Sequence, residues 1–205
     1  ELAERYGLDL TKPIVVFTQH SVTTQFKEAG AQVAPALNAL RQLSREGVQV
    51  IISYPNNDAG GRLIIRALEA FAAELLTGAQ IRLSLGRADY HGLLALARGS
   101  TPVVCAGNSS SGIKETPAFG CPAVNIGSRQ DGRLRATNVC DAGYDEDEIY
   151  AAIRVGLEDV EFRQRARTCE NPYGTGNVGR KIADVLASVE LGQKLIRKRM
   201  TIGGI

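Results

Sequence analysis

A polar turn, GNSSSG at Gly107 to Gly112, lies between an apolar run at Val103 to Ala106 and a short segment closed by Gly120, with Glu115 just beyond it. Small residues at a strand-to-helix turn let main-chain N–H groups close on an anion, and a helix start adds partial positive charge. Ser109, Ser110 and Gly112 are therefore candidate phosphate ligands. The alternative is a plain helix cap by Ser110 or Ser111. Gly107 and Gly112 are spaced as in a Walker A loop, but Lys114 comes one place late and Glu115 stands where a magnesium-binding hydroxyl belongs. No GxGxxG follows an expected strand, which removes a dinucleotide fingerprint. Glu115, one turn along, can accept hydrogen bonds from vicinal hydroxyls such as those of a ribose. The stretch reads as a site for a nucleoside diphosphate, with neither metal nor cofactor expected.

Two further polar clusters follow apolar runs. His20 closely follows Ile14 to Thr18, and Asn56 and Asp58 follow Val48 to Tyr54. Parallel sheets gather ligands at the carboxyl ends of their strands, so both positions are candidates. A structural histidine and a turn-forming Asn or Asp are the alternatives. Tyr90 fits either a base-stacking or a core-stapling role, and His91 reads as a surface residue.

The elements that must position these groups alternate along the chain. Strands are expected at Ile14 to Thr18, Val48 to Tyr54, Ile81 to Leu85, Val103 to Ala106, Ala123 to Ile126 and Thr137 to Cys140. Helices are expected at Gln32 to Arg45, Arg62 to Leu76, from the Gly86–His91 exit to about Ala97, at Asp145 to Leu157, and from Val178 to about Leu195. That alternation predicts an α/β fold with a doubly wound, mainly parallel, Rossmann-like sheet.

Composition narrows the class. The chain has 205 residues, 44% hydrophobic and 22% charged, which suits one large α/β domain. A net charge of +2 gives no general pull toward nucleic acid or membranes, and the KLIRKR run at Lys194 to Arg199 reads as a solvated helix end. Cys105, Cys121, Cys140 and Cys169 lack CxxC spacing and histidine partners, as reduced, buried thiols do. No apolar run approaches the roughly 18 residues of a membrane span. A cytoplasmic location is expected.

Four separated segments, QHSVTT from Gln19, YPNNDAG from Tyr54, GNSSSGIKETPAFGCPAVNIGSRQDGR from Gly107 and NPYGTGNVGR from Asn171, share one resemblance. In order and content they resemble the carboxyl-terminal half of the hydrolysing UDP-N-acetylglucosamine 2-epimerases, over about Pro13 to Leu186. The resemblance implies the second half of a glycosyltransferase-B-type architecture, with residues 1–205 as a UDP-binding carboxyl-terminal domain and the amino-terminal catalytic half outside this chain. It implies that Ser109, Ser110 and Gly112 hold the diphosphate, that Glu115 binds ribose and that Asn56 helps line the pocket. It implies too that His20 approaches the diphosphate or sugar, that Arg129 neutralises the phosphate end, and that Arg87, in a loop from Gly86 to Tyr90, lies near uracil. HSVTT and SRQDGR stand where non-hydrolysing relatives carry HRxEN-like and TERPE-like segments, which favours the hydrolysing branch. The implied partners are UDP and UDP-N-acetylglucosamine, with self-association through the full-length enzyme and no nucleic acid or membrane partner. The donor half of a glycosyltransferase and a non-catalytic nucleotide-sugar sensor are the alternatives.

Overall fold

The computed structural model describes residues 1–74 and 78–197. Its strands are β1 (Ile14–Thr18), β2 (Gln49–Ser53), β3 (Ala79–Arg82), β4 (Val103–Gly107), β5 (Ala123–Ile126) and β6 (Val139–Ala142). All pair in parallel, in the order β3-β2-β1-β4-β5-β6. The order reverses between β1 and β4, the place where a Rossmann-like sheet opens a crevice for ligands.

Strands buried on both faces explain the continuous apolar runs. Val15 and Phe17 of β1 face one core, shared with Val50, Ile52, Val104 and Val124. Ile14 and Val16 face the other, with Ile51, Val103 and Cys105. The first core is covered by α2 (Ala29–Arg45), α3 (Gly61–Ala73) and α6 (Glu146–Glu158). Leu93 and Leu94 of α4 (Gly86–Ala95) and Tyr6, just after α1 (Leu2–Arg5), close the second. Asp145 caps α6 by accepting the Glu148 N–H at 2.9 Å, and three acidic residues fill its first turn, where the dipole favours them.

Several boundaries differ from the sequence expectation. The third strand lies two residues earlier than Ile81 to Leu85, because β2 ends at Ser53 and leaves the edge strand nothing to pair with beyond Arg82. Leu83 is accordingly 78% exposed. The sixth strand likewise runs Val139–Ala142 rather than Thr137 to Cys140, in register with β5. α2 starts at Ala29, following a 3-10 stretch at Thr23–Glu28. An unexpected helix, α7 (Val160–Thr168), follows α6 directly, with Asp159 accepting the Phe162 N–H at 2.7 Å.

Residues Glu1–Tyr173 form one compact unit, and a second begins at Gly174. In the second, the helix expected from Val178 is divided into α8 (Val178–Ser188) and α9 (Gln193–Ile196). The expected helix end at Leu76 and the last residues of the basic tail, Lys198 and Arg199, lie outside the described residues. Among the described residues no helix is long and apolar enough to cross a membrane.

Candidate nucleotide site

The site starts from one close backbone approach. Gly107 ends β4 beside Thr18, with φ of 121°, and a Cβ there would stand 2.0 Å from the Thr18 carbonyl oxygen. Only glycine fits, so β4 turns outward directly above β1. Asn108 comes next and is almost fully buried. Its side chain grips the His20 backbone at both polar groups: Oδ1 accepts the His20 N–H at 2.6 Å and Nδ2 donates to the His20 carbonyl at 2.8 Å. Its own carbonyl accepts from Arg129 Nη1 at 3.1 Å and from Gln130 Nε2 at 2.6 Å. One side chain and one carbonyl thus bring His20 and Arg129, far apart in sequence, onto a single anchor.

His20 Nδ1 accepts the Asn56 N–H at 3.0 Å. An acceptor nitrogen carries no proton, so the neutral ring holds its hydrogen on Nε2. Burial, aided by the Arg129 charge and partly opposed by Asp58, pushes the His20 pKa down to about 4. At neutral pH this histidine is a donor, not a cation. Arg129 supplies the positive charge; burial lowers its pKa while Asp58, 3.7 Å from Nη2, raises it. Asp58 also accepts from Asn56 Nδ2 at 2.7 Å, so the turn after β2 is tied to the same cluster.

The serine turn is built differently from a long helix terminus. α5 spans only Ser111–Lys114, and a 3-10 turn at Thr116–Phe119 carries the chain on to Gly120, which has φ of 59°. One turn of helix has a small dipole, and Ser110 makes no side-chain cap. The Gly112 N–H is used by the Ser109 carbonyl at 3.1 Å. The N–H groups of Ser109 and Ser110 have no acceptor among the described residues, leaving two amides for an anion. Ser111 Oγ donates to Ser109 Oγ at 3.1 Å and accepts from the Tyr90 hydroxyl at 2.5 Å. Tyr90, held also against Cys105 at 3.3 Å, therefore staples α4 to β4, and burial raises its pKa well above the usual phenol value.

A cleft of about 680 Å³ opens above these groups. His20, Asn56, Arg87, Ser109 and Glu115 of the expected site line it; Ser110, Gly112 and Arg129 do not. Arg129 sits behind the cleft lining, on the Asn108 carbonyl. Arg87 lies in the first turn of α4, where a loop was expected: the helix begins at Gly86 itself. His91, read from sequence as a surface residue, also lines the cleft and meets Glu115, Nε2 to Oε2 at 2.8 Å. Sequence reasoning also passed over Asn108 as a bonding hub; its only signal was an Asn placed immediately after a strand-ending glycine. Among the described residues no three His, Cys, Asp or Glu side chains are grouped as a metal would need, and all four cysteines are free thiols.

Comparison with known proteins places this geometry in context. A family model described as UDP-N-acetylglucosamine 2-epimerase matches residues 2–187. A UDP-N,N'-diacetylbacillosamine 2-epimerase (hydrolyzing) of Legionella pneumophila is 30% identical over 197 residues, covering 95% of this chain and 48% of that protein. A UDP-N-acetylglucosamine 2-epimerase of Neisseria meningitidis is 32% identical over 200 residues, covering 97% and 49%. The crystal structure of UDP-GlcNAc 2-epimerase from Neisseria meningitidis bound to UDP-GlcNAc has the same fold, with a TM-score of 0.73 at 14% identity over 91% of this chain and 48% of that one. This chain spans about half the length of the curated relatives it matches.

Proposed function

The chain belongs to the UDP-N-acetylglucosamine 2-epimerase family, and from that premise we propose that it is the UDP-binding, carboxyl-terminal half of a hydrolysing member working in the cytoplasm. The reaction is elimination of UDP across the sugar C1–C2 bond to a 2-acetamidoglucal, then addition of water to release N-acetylmannosamine, a sugar of the kind sialic acid synthesis consumes. The carboxylates that move the C2 proton belong to the other half of the architecture, so this half alone turns nothing over.

One observation carries the reading: a neutral histidine with its proton on Nε2 and a half-buried arginine are fixed to the same asparagine beside a cleft that also holds a carboxylate. As the C1–O bond breaks, negative charge grows on the diphosphate. His20 Nε2–H, the Arg129 charge and the unused Ser109 and Ser110 amides bind that charge more strongly than they bind the intact substrate, which is how a preorganised donor set lowers a barrier. Because His20 is uncharged, it stabilises the leaving group without pairing so tightly that UDP is retained. Glu115 accepts from the ribose hydroxyls, and Arg87 lies toward the base.

Calorimetry with UDP tests the binding half of the proposal. Glu115→Ala is expected to weaken binding roughly 10-fold or more, as loss of a charged acceptor does; unchanged affinity removes Glu115 from the site. The intact enzyme incubated with UDP-N-acetylglucosamine tests the reaction. Free N-acetylmannosamine plus UDP supports it, a requirement for an acceptor points to glycosyl transfer, and bound but unchanged sugar nucleotide points to a sensor.

A further inference from the structure

Glu115 follows directly from a four-residue helix, a short platform for a side chain that must hold one orientation. Its Oε2 is taken by His91 Nε2 at 2.8 Å, while Oε1 has no partner among the described residues. A carboxylate has no hydrogen to give, so the imidazole is the donor in this pair. The His91 ring is itself confined: its centroid lies 5.0 Å from that of Phe119, tilted 44°, and 6.2 Å from that of Tyr90. Phe119 lies on the 3-10 turn that follows Glu115, and Tyr90 is stapled to Ser111. The imidazole is thus held by both the α4 wall and the serine-turn wall of the cleft.

We propose that His91 is a positioning residue that holds one oxygen of Glu115 and so presents the other to the ribose diol of the nucleotide, setting the preference for a ribonucleoside over a deoxyribonucleoside diphosphate. The inference rests on the nucleotide reading above and deepens it. With Oε2 fixed, Glu115 meets the ligand with Oε1, whose two lone pairs can each accept from one hydroxyl of a vicinal diol. Accepting from both hydroxyls at once needs that alignment, whereas a single hydroxyl can follow a carboxylate that swings. Loss of His91 therefore weakens UDP more than 2'-deoxy-UDP. Histidine is also replaceable here in one specific way: the glutamine Nε2 reaches nearly the same place and donates the same hydrogen bond, but alanine supplies nothing.

The test measures UDP and 2'-deoxy-UDP affinities by calorimetry on the full chain as wild type, His91→Ala and His91→Gln, with thermal midpoints for each. The wild type is expected to prefer UDP, and His91→Ala to lose most of that preference, a fall of about 10-fold. His91→Gln is expected to recover most of it. A preference in His91→Ala within about twofold of the wild-type value overturns the proposal, since twofold is a small fraction of one charged hydrogen bond. Equal losses for both nucleotides overturn it too, because they mark His91 as packing alone. Failure of the wild type to bind UDP at all overturns the nucleotide reading and this inference with it; UDP binding with an unmoved preference overturns this inference only.

Discussion

The chain has two histidines, and both line the same cleft in opposite ways. His20 is clamped through its backbone by Asn108, donates nothing to the protein from its ring, and is kept neutral by burial and by Arg129. His91 stands half-buried on α4 and spends a ring nitrogen on Glu115. On one side of the cleft the protein withholds a proton donor from its own groups, so that a ligand can use it. On the other it uses up a donor to aim an acceptor. The difference teaches that residue type is a poor guide to role: the same imidazole keeps a ring N–H free where a cation crowds it, and bonds to a carboxylate where an acid is its neighbour.

Gly107→Ala breaks the comparison most completely, because both sides are reached through the turn it opens. A Cβ 2.0 Å from the Thr18 carbonyl cannot be relieved by moving a flexible side chain. The expected cost is above about 4 kcal/mol, read as a large drop in the urea midpoint or as failure to fold. A variant with a wild-type midpoint would show that the β1–β4 junction tolerates displacement, and the shared anchor with it.

Arg129→Gln sharpens the comparison by acting on the His20 side of the cleft and leaving the His91–Glu115 pair intact. UDP affinity is expected to fall about 10-fold, because the lost cation acts on the diphosphate through space and not by a direct hydrogen bond. The His20 titration, followed by NMR, should move up from about 4 yet stay below its ordinary value near 6.5, because burial is the larger cause of the depression. The sign for stability follows from linkage. The unfolded chain takes the proton near 6.5 and the fold only near 4, so the stability that neutral His20 contributes is present above 6.5 and lost as pH falls through about 4. Chemical denaturation across that window should show a shallower acid loss in Arg129→Gln than in the wild type. Identical slopes would mean that the arginine charge does not reach the ring.

The smallest effect belongs to Ser110→Ala. Its hydroxyl caps nothing and does not line the cleft, so stability should stay within about 0.5 kcal/mol and UDP binding should change little. A loss of affinity comparable to that of Glu115→Ala would show that the hydroxyl itself, rather than the main-chain amide, holds the diphosphate.

The interior was easier to read from sequence than the rim. β1, β4 and β5 are buried on both faces, so apart from Asn125 of β5 and the strand-ending Thr18 and Gly107 they form apolar runs bounded by turn residues. β3 is an edge strand, and the alternation Ile81, Leu83, Leu85 mimics a strand whose second half has no partner. Leu85 instead turns inward at the start of α4 and is buried there. α7 escaped notice because VEFRQRART is largely polar and begins one residue after α6 ends, with Asp159 serving both as the end of one helix and the cap of the next. In the site, residue types at strand ends pointed to His20, Asn56, Ser109 and Glu115. The pairing of His91 with Glu115 joins positions 24 apart through a fold that periodicity does not encode. Asn108 was hidden for a related reason: a side chain that bonds to main chain just past a different strand leaves no spacing to detect.

Asn108 has one more consequence. Its hydrogen bonds, including that of its own N–H to the Thr18 carbonyl, make the exits of β1 and β4 and the segment after β5 a single piece of rigid masonry. An incoming anion need not arrest loose loops there, and little of its binding free energy is spent on ordering. What freezing does occur falls on the opposite bank, where the Arg87 side chain stands exposed in solvent. Occupancy of the cleft is therefore written into the α4 bank, and a reporter group placed near His20 would stay silent.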